Sequence, residues 1–143
     1  MQPTILIVSS PYYKDITETL ETGARNVLQK AGYAAQTIHV PGAFEIPAAI
    51  AFAHTSRRFE GYVALGCVIR GETSHYDYVC GESARGLQDL AIREHLAIGY
   101  GILTVETMEQ AQVRADLKQG DKGGEAAKAC LQMMTLKQLY GVA

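Results

Sequence analysis

The chain of 143 residues predicts an α/β fold, a three-layer α/β/α sandwich built on a four-stranded parallel sheet. Two observations support this prediction: apolar runs typical of strands covered on both faces, and segments with helical spacing between those runs. A helix between consecutive strands makes the strands parallel through right-handed crossovers. The length suits one domain, and we expect residues 1–143 to form it.

The strands are predicted from their lack of alternation between polar and apolar residues. Residues 4–8, 62–69 and 97–105 are predominantly apolar, as expected for strands buried between two layers of helices. Residues 35–40 predict a weaker fourth strand.

The helices are predicted from apolar residues that recur every three or four positions. The second helix is expected to begin after Pro41 and Gly42 and to carry Pro47 in its first turn, where a missing amide costs little. A short helix is predicted near residues 107–115 and a closing helix near 125–139, on either side of a glycine-rich turn. The expected core-facing residues are Ile16, Leu20, Ala24, Val27, Leu28 and Ala31 in the first helix, Ile46 and Ile50 in the second, Leu87, Leu90 and Ala91 in the third, and Ala127, Cys130, Leu131 and Met134 in the last.

The charge balance argues against a nucleic-acid partner. With 13 Lys and Arg residues against 15 Asp and Glu residues, the chain lacks the broad positive surface that binding to a phosphate backbone requires. No apolar run approaches the ~20 residues needed to cross a bilayer, so we expect no membrane association. Small molecules and other protein chains are the expected partners, and apolar helix surface favours a homo-oligomer.

Cysteine usage and the absence of known motifs indicate the cellular compartment and argue against several kinds of binding site. Cys67, Cys80 and Cys130 are an odd set without C-x-x-C spacing, so neither a disulfide framework nor a zinc site is expected. The opening residues lack a basic end followed by an apolar core, and we therefore expect a cytoplasmic protein. Neither nucleotide-binding glycine pattern is present, which argues against mononucleotide hydrolysis and dinucleotide oxidoreduction, and no H-E-x-x-H motif or carboxylate cluster indicates a metal.

The segment 71–78 is the most informative part of the chain, because it places a histidine soon after the third predicted strand. The carboxyl ends of parallel strands form the edge at which open α/β sheets bind ligands. His75 is therefore the first candidate for a proton-transfer residue, since an imidazole titrates near neutral pH and Asp77 lies close in sequence. The equally weighted alternative is a loop histidine that makes an ordinary hydrogen bond.

Further candidates lie at the same predicted edge. Glu72 and Thr73 occupy the turn before the third helix, where amides and a hydroxyl can hold an anion, although the Glu72 carboxylate would repel it. Phe44 and Glu45 begin the second helix, and Glu45 either accepts from ligand hydroxyls or merely favours the helix dipole. Tyr12 is suited to stack on a planar heterocycle or to pack at an interface.

Two basic residues are candidates for neutralising a phosphate. Arg114 is predicted near the end of the short helix, and Lys122 within the glycine-rich turn. Arginine offers two parallel donors and lysine a mobile charge. The alternative is that both are solvated side chains of the surface.

Three segments together resemble lumazine synthase, an enzyme family of riboflavin biosynthesis. They are residues 40–47 (VPGAFEIP), residues 65–77 (LGCVIRGETSHYD) and residues 121–124 (DKGG). Three motifs in order at matching intervals are far more specific than a single glycine pattern. The resemblance spans nearly the whole domain and implies a flavodoxin-like sheet.

The resemblance implies a reaction without a cofactor, the penultimate step of riboflavin biosynthesis. In this step 5-amino-6-(D-ribitylamino)uracil condenses with 3,4-dihydroxy-2-butanone 4-phosphate to give 6,7-dimethyl-8-ribityllumazine, water and inorganic phosphate. An amine adds to a ketone, phosphate leaves and a second ring closes, which requires several proton transfers. His75 matches the general acid and base of the family.

The other site residues are assigned by the same resemblance. Glu72 and Thr73 match the turn that binds the substrate phosphate. Arg114 matches the phosphate-pairing arginine, which is expected to reach the site from a neighbouring subunit. The residues that match the uracil and ribityl site are Tyr12, Ala43, Phe44, Glu45, Cys67, Val68 and Ile69, with Tyr100 supplied across the subunit boundary.

The chain departs from the family pattern at residues 11–14, where PYYK replaces the usual Arg-Phe-Asn or Arg-Trp-Asn. Tyr12 still offers a ring for stacking, but the asparagine that makes a polar contact is missing. The family forms pentamers with active sites between subunits, so a homopentamer is expected, and stacking of pentamers into a hollow shell stays open. The alternative function is a flavin- or lumazine-binding, shell-forming module without turnover.

Overall fold

The structure is a computed structural model that describes residues 4–143, and its centre is a four-stranded parallel sheet. The strand order is β2-β1-β3-β4, so that β2 and β4 form the two edges. The predicted parallel sheet between helical layers is confirmed. The strands are β1 (Thr4–Ser9), β2 (Ala34–His39), β3 (Gly61–Ile69) and β4 (Ile98–Val105).

Within residues 4–143, five α-helices cover the two faces of this sheet. One layer holds the first, fourth and fifth helices, and the other holds the second and third. The helices are α1 (Lys14–Lys30), α2 (Ile46–His54), α3 (His75–Arg93), α4 (Met108–Ala115) and α5 (Lys122–Leu139), and a 3₁₀ turn (Ala43–Glu45) precedes α2.

Alternate residues of the central strands supply both halves of the core. Ile5 and Ile7 pack on the side of α1, α4 and α5, whereas Leu6 and Val8 pack on the side of α2 and α3. All four side chains are buried, which explains why β1 shows no polar face in the sequence. Of the expected core-facing residues, Ala31 is exposed directly after the end of α1, and four are half-buried: Val27, Leu90, Ala91 and Leu131.

The closing helix begins three residues earlier than the sequence indicates, at Lys122 instead of residue 125. Asp121 begins the helix in a left-handed conformation, and its side chain accepts a hydrogen bond from the Gly124 amide. A side chain at Gly123 would collide with the backbone of Leu20, so the glycine allows α5 to pack closely against α1. The predicted glycine-rich turn at residues 120–124 is therefore partly wrong, because its last three residues are helical.

At the edge of the sheet formed by the amino ends of the strands, three of the described residues have positive φ. They are Gly32 at 88°, Arg57 at 56° and His95 at 55°, which lie before β2, β3 and β4 respectively. In the described part of the chain no helix is long and apolar enough to cross a membrane. No group of three or more His, Cys, Asp and Glu side chains within residues 4–143 is placed to hold a metal ion.

Candidate active site

A cavity of about 600 Å³ opens at the carboxyl ends of β1 and β3, and we call it the rim pocket. The volume lies within the range typical of sites for small molecules. The cavity brings together most of the residues predicted from the sequence. These residues are Tyr12, Ala43, Phe44, Glu45, Cys67, Val68, Ile69, Thr73 and His75.

The register of the parallel strands explains why these residues meet. Ser9, the last residue of β1, lies opposite Leu65 of β3, and the Ser10 amide donates to the Leu65 carbonyl over 3.0 Å. On the other side of β1, the Val40 amide donates to the Ser9 carbonyl over 3.0 Å. The segments that follow β1, β2 and β3 therefore leave the sheet side by side and form three walls of the rim pocket.

Two exposed aromatic rings flank the rim pocket. The exposed fractions are 75% for Tyr12 and 54% for Phe44, which are high for large aromatic side chains. The ring of Tyr12 meets the ring of Tyr13 edge to face, with 5.0 Å between centroids. Burial, followed by the charges of Tyr12 and Cys67, raises the pKa of Tyr13, so its hydroxyl stays protonated at neutral pH. The walls suit a planar heterocycle with polar substituents.

His75 is the first residue of α3 and not part of a loop, unlike the alternative interpretation of this residue. Its backbone amide donates to the Thr73 hydroxyl oxygen over 3.3 Å, which leaves the proton of this hydroxyl available to a ligand. The His75 ring makes no hydrogen bond or ion pair within residues 4–143, and it is exposed beside the cavity. An exposed imidazole next to free amides of a helix start can exchange protons with a bound anionic molecule.

Glu72 lies in the same turn as Thr73 and is exposed, but its side chain is not part of the wall of the rim pocket. This placement fits a contribution from the Glu72 backbone alone. Val79 also lines the cavity and was not predicted. Val79 lies one helical turn after His75 on the same face of α3, and this spacing is a signal that the sequence already contained.

The thiol of Cys67 lines the floor of the rim pocket without being a nucleophile. Burial raises its pKa to about 11, so the thiol is protonated at neutral pH. Together with Val68 and Ile69 it gives the cavity an apolar floor at the end of β3. The chemistry that the pocket supports is therefore proton transfer and binding.

The remaining predicted residues line a second, smaller cavity of about 230 Å³, which we call the edge pocket. It lies along the outer edge of β4 and is lined by Tyr100, Arg114 and Lys122 together with residues 101–105. The two pockets share no lining residue. Within a single chain, the expected phosphate-binding cations therefore lie in a different pocket from His75.

The two cations of the edge pocket are held differently. The Arg114 guanidinium donates to the Gln110 carbonyl over 3.1 Å and makes no ion pair in the described part of the chain, so its charge is free for a ligand. Lys122 is paired with Glu125, with 2.7 Å between the Lys122 Nζ and a carboxylate oxygen. Burial raises the pKa of the Tyr100 hydroxyl, and this effect outweighs the opposite effect of its hydrogen bond with Ser83.

Comparison with known proteins decides the family. The model of the 6,7-dimethyl-8-ribityllumazine synthase family matches residues 2–138 of the chain. The chain belongs to this family. The lumazine synthase motifs that the sequence shares at residues 40–47 and 65–77 thus supply the walls of the rim pocket.

Similar lumazine synthases match over almost their full length. The 6,7-dimethyl-8-ribityllumazine synthase of Sphingopyxis alaskensis is 53% identical over 138 residues, which cover 96% of this chain and 97% of the relative. The protein of the same name from Bartonella tribocorum is 52% identical over 141 residues, covering 98% of this chain and 93% of the relative. The lumazine synthase of Bartonella bacilliformis is 50% identical over 143 residues.

Proposed function

We propose that the protein catalyses the condensation of 5-amino-6-(D-ribitylamino)uracil with 3,4-dihydroxy-2-butanone 4-phosphate to 6,7-dimethyl-8-ribityllumazine, the penultimate step of riboflavin biosynthesis. The observation that carries this proposal is the rim pocket, where a free imidazole and an anion-binding turn lie at one mouth of an aromatic-walled cavity. Family membership supports the same reaction. No step of this chemistry requires a cofactor.

The heterocycle fits between the two aromatic walls. In the proposed complex the uracil ring stacks against Tyr12 and lies over Val68 and Ile69, and the ribityl hydroxyls face Ala43 and Glu45. The Glu45 carboxylate is an acceptor without an ion-pair partner in the described residues, which suits a chain of hydroxyl donors. Tyr12 thus takes the stacking role despite the unusual segment 11–14.

The phosphate of the second substrate fits the turn before α3. Amides of the turn and the Thr73 hydroxyl donate to the phosphate oxygens, and the start of α3 adds a favourable dipole. His75 then lies next to the carbon chain of this substrate. In the proposal it protonates the carbinol oxygen when the imine forms, and it takes protons during phosphate loss and ring closure.

Arg114 completes the site from an adjacent subunit of a homopentamer. Within one chain Arg114 and Tyr100 lie at the outer edge of β4, in a pocket separate from His75. A neighbouring copy that presents its edge pocket to the rim pocket would place a guanidinium opposite the phosphate-binding turn. Lys122 adds a second cation to the same side, with its charge partly compensated by Glu125.

The decisive experiment is incubation of the purified protein with both substrates, followed by lumazine absorbance and fluorescence. We expect a rate well above the uncatalysed background of the same mixture. A rate equal to the background, combined with binding of the lumazine, would contradict the proposed activity and favour a binding or shell-forming module. Sedimentation velocity of the same sample tests the pentamer, and a stable monomer at micromolar concentration would remove it.

A further inference from the structure

We infer that Arg70 is a positioning residue that holds the first turn of α3, and with it His75, at the mouth of the rim pocket. The inference rests on the proposed function. Arg70 is the first residue after β3, and His75 is the first residue of α3, so the phosphate-binding turn lies between them. A contact from Arg70 to the residues just after His75 therefore joins the two ends of this turn.

The Arg70 guanidinium makes three contacts at once, which we call the Arg70 clamp. Its Nε donates to a carboxylate oxygen of Glu106 over 2.7 Å, and its Nη2 donates to Asp77 over 3.2 Å. Its Cζ lies 4.2 Å from the centroid of the Tyr76 ring. Two of the three partners are the residues directly after His75, and the third follows the end of β4.

Few other interactions fix the turn in the described part of the chain. The Arg70 amide donates to the Val105 carbonyl over 3.0 Å, which extends the β3-β4 ladder by one bond. The bonds from the amides of His75, Asp77 and Tyr78 join residues within the turn and the start of α3, whereas the Tyr76 hydroxyl contacts Thr104 of β4. Residues 71–75 are all exposed. The clamp is thus one of the side-chain links between the turn and the strands, beside the contact of Tyr76 with Thr104 and the burial of Val79 in the core.

The anchor at the other end of the clamp is itself fixed. The Glu106 amide donates to the Gln110 side chain over 2.7 Å, and Thr107 caps the start of α4 through the Gln110 amide. Tyr76 is half-buried, and the Arg70 guanidinium lies over its ring. Both ends of the clamp therefore have defined positions.

The contacts require an arginine. A planar guanidinium can face two carboxylates with separate nitrogens and stack on a ring, whereas an ammonium is a single point charge on a flexible stem. Removal of the charge leaves Asp77 and Glu106 on the same side of the turn without their common cation. Their mutual repulsion then displaces the start of α3 from the end of β4, and His75 moves with it.

The chain supplies a matched control in Arg85, which lies further along α3. Its guanidinium also meets two carboxylates, Glu82 over 2.7 Å and Asp89 over 3.0 Å. Both partners are in the same helix, so this arginine ties no turn to the sheet. Substitution of Arg85 therefore tests the loss of an equivalent ion-pair network that has no positioning role.

The experiment compares Arg70→Gln, Arg70→Lys and Arg85→Gln with the wild type in steady-state assays of both substrates. We expect Arg70→Gln to lower kcat about tenfold, within the loss that a displacement of up to 1 Å can cause. We also expect a higher KM for the butanone phosphate and little change in KM for the uracil. Arg70→Lys should restore part of kcat, and Arg85→Gln should stay within about twofold of the wild type.

Each other outcome counts against the clamp. A kcat within twofold of the wild type in Arg70→Gln, or an equal loss in Arg85→Gln, overturns it. If Arg70→Gln fails to fold, Glu106→Gln removes the shorter ion pair and should lower kcat in the same direction; unchanged kcat there overturns the inference.

A failure of the proposed function is distinguished by the wild-type assay. If the wild type gives no acceleration, amide hydrogen exchange of residues 72–77 tests the Arg70 clamp independently of the proposed function. Faster exchange in Arg70→Gln but not in Arg85→Gln supports it, and equal exchange in the two variants overturns it.

Discussion

The rim pocket and the edge pocket carry complementary halves of one proposed site. The rim pocket has an apolar floor, two exposed aromatic rings and an imidazole, and none of its lining residues is a lysine or arginine. The edge pocket has both of the predicted cations, but it has less than half of the volume and no histidine. Under the proposed function, binding of the heterocycle belongs to one subunit and neutralisation of the phosphate to its neighbour.

The largest effect is expected from removing the free cation of the edge pocket. Arg114→Ala should lower kcat/KM for the butanone phosphate about 10- to 100-fold, because a hydrogen bond between charged partners contributes about 1.5–3 kcal/mol. The KM for the uracil should change much less. Arg93→Ala, in the last turn of α3, removes a cation remote from both pockets and serves as the control. Equal effects on both substrates would contradict the phosphate role.

A smaller effect is expected from the imidazole of the rim pocket. His75→Ala should lower kcat about tenfold, less than general acid-base catalysis usually contributes, because an amine and a ketone also condense without a catalyst. Both KM values should change little, and the pH-rate profile should lose the limb that the imidazole supplies. His95→Asn is the control, since it alters an exposed histidine at the opposite edge of the sheet and tolerates the positive φ there. An unchanged profile in His75→Ala would assign the proton transfers to another group.

The smallest but most specific effect is expected from mixing the two variants. When His75→Ala and Arg114→Ala subunits are unfolded and refolded together in equal amounts, half of the rim pockets keep the histidine, and half of those meet a neighbour with the arginine. About one quarter of the wild-type activity should return if each site spans two subunits. If both residues act within one subunit, the mixture should show only the average of the two variants. That result would end the two-subunit model.

Much of the fold could be predicted because the signals were local. The buried strands follow from apolar runs without alternation, and His75 could be placed at the sheet edge from its distance to β3. Gly123 was misassigned because a glycine needed for close packing of α5 on α1 looks the same in sequence as a glycine needed for a turn. Arg70 was missed because its role depends on Asp77 and Glu106, which meet it only after three elements have packed.

The same limit applies to the candidate site. The segments that contain Phe44 and His75 can each be recognised in the sequence as a polar or aromatic stretch that follows a strand. The separation of Arg114 from His75 is a property of the folded chain, because Arg114 lines the edge pocket beside β4 whereas His75 lines the rim pocket. The sequence alone suggested a neighbouring subunit only through the resemblance to lumazine synthase.

The exposed segment around Arg57, a residue in the left-handed conformation, is a suitable site for an inserted label. The segment around Arg57 joins α2 to β3 on the side of the sheet opposite the rim pocket, and residues 55–58 are exposed. A peptide epitope or fluorescent reporter inserted there would extend outward without obstructing substrate entry. The molecule therefore offers an attachment site that is separated by the length of β3 from the residues of the proposed active site.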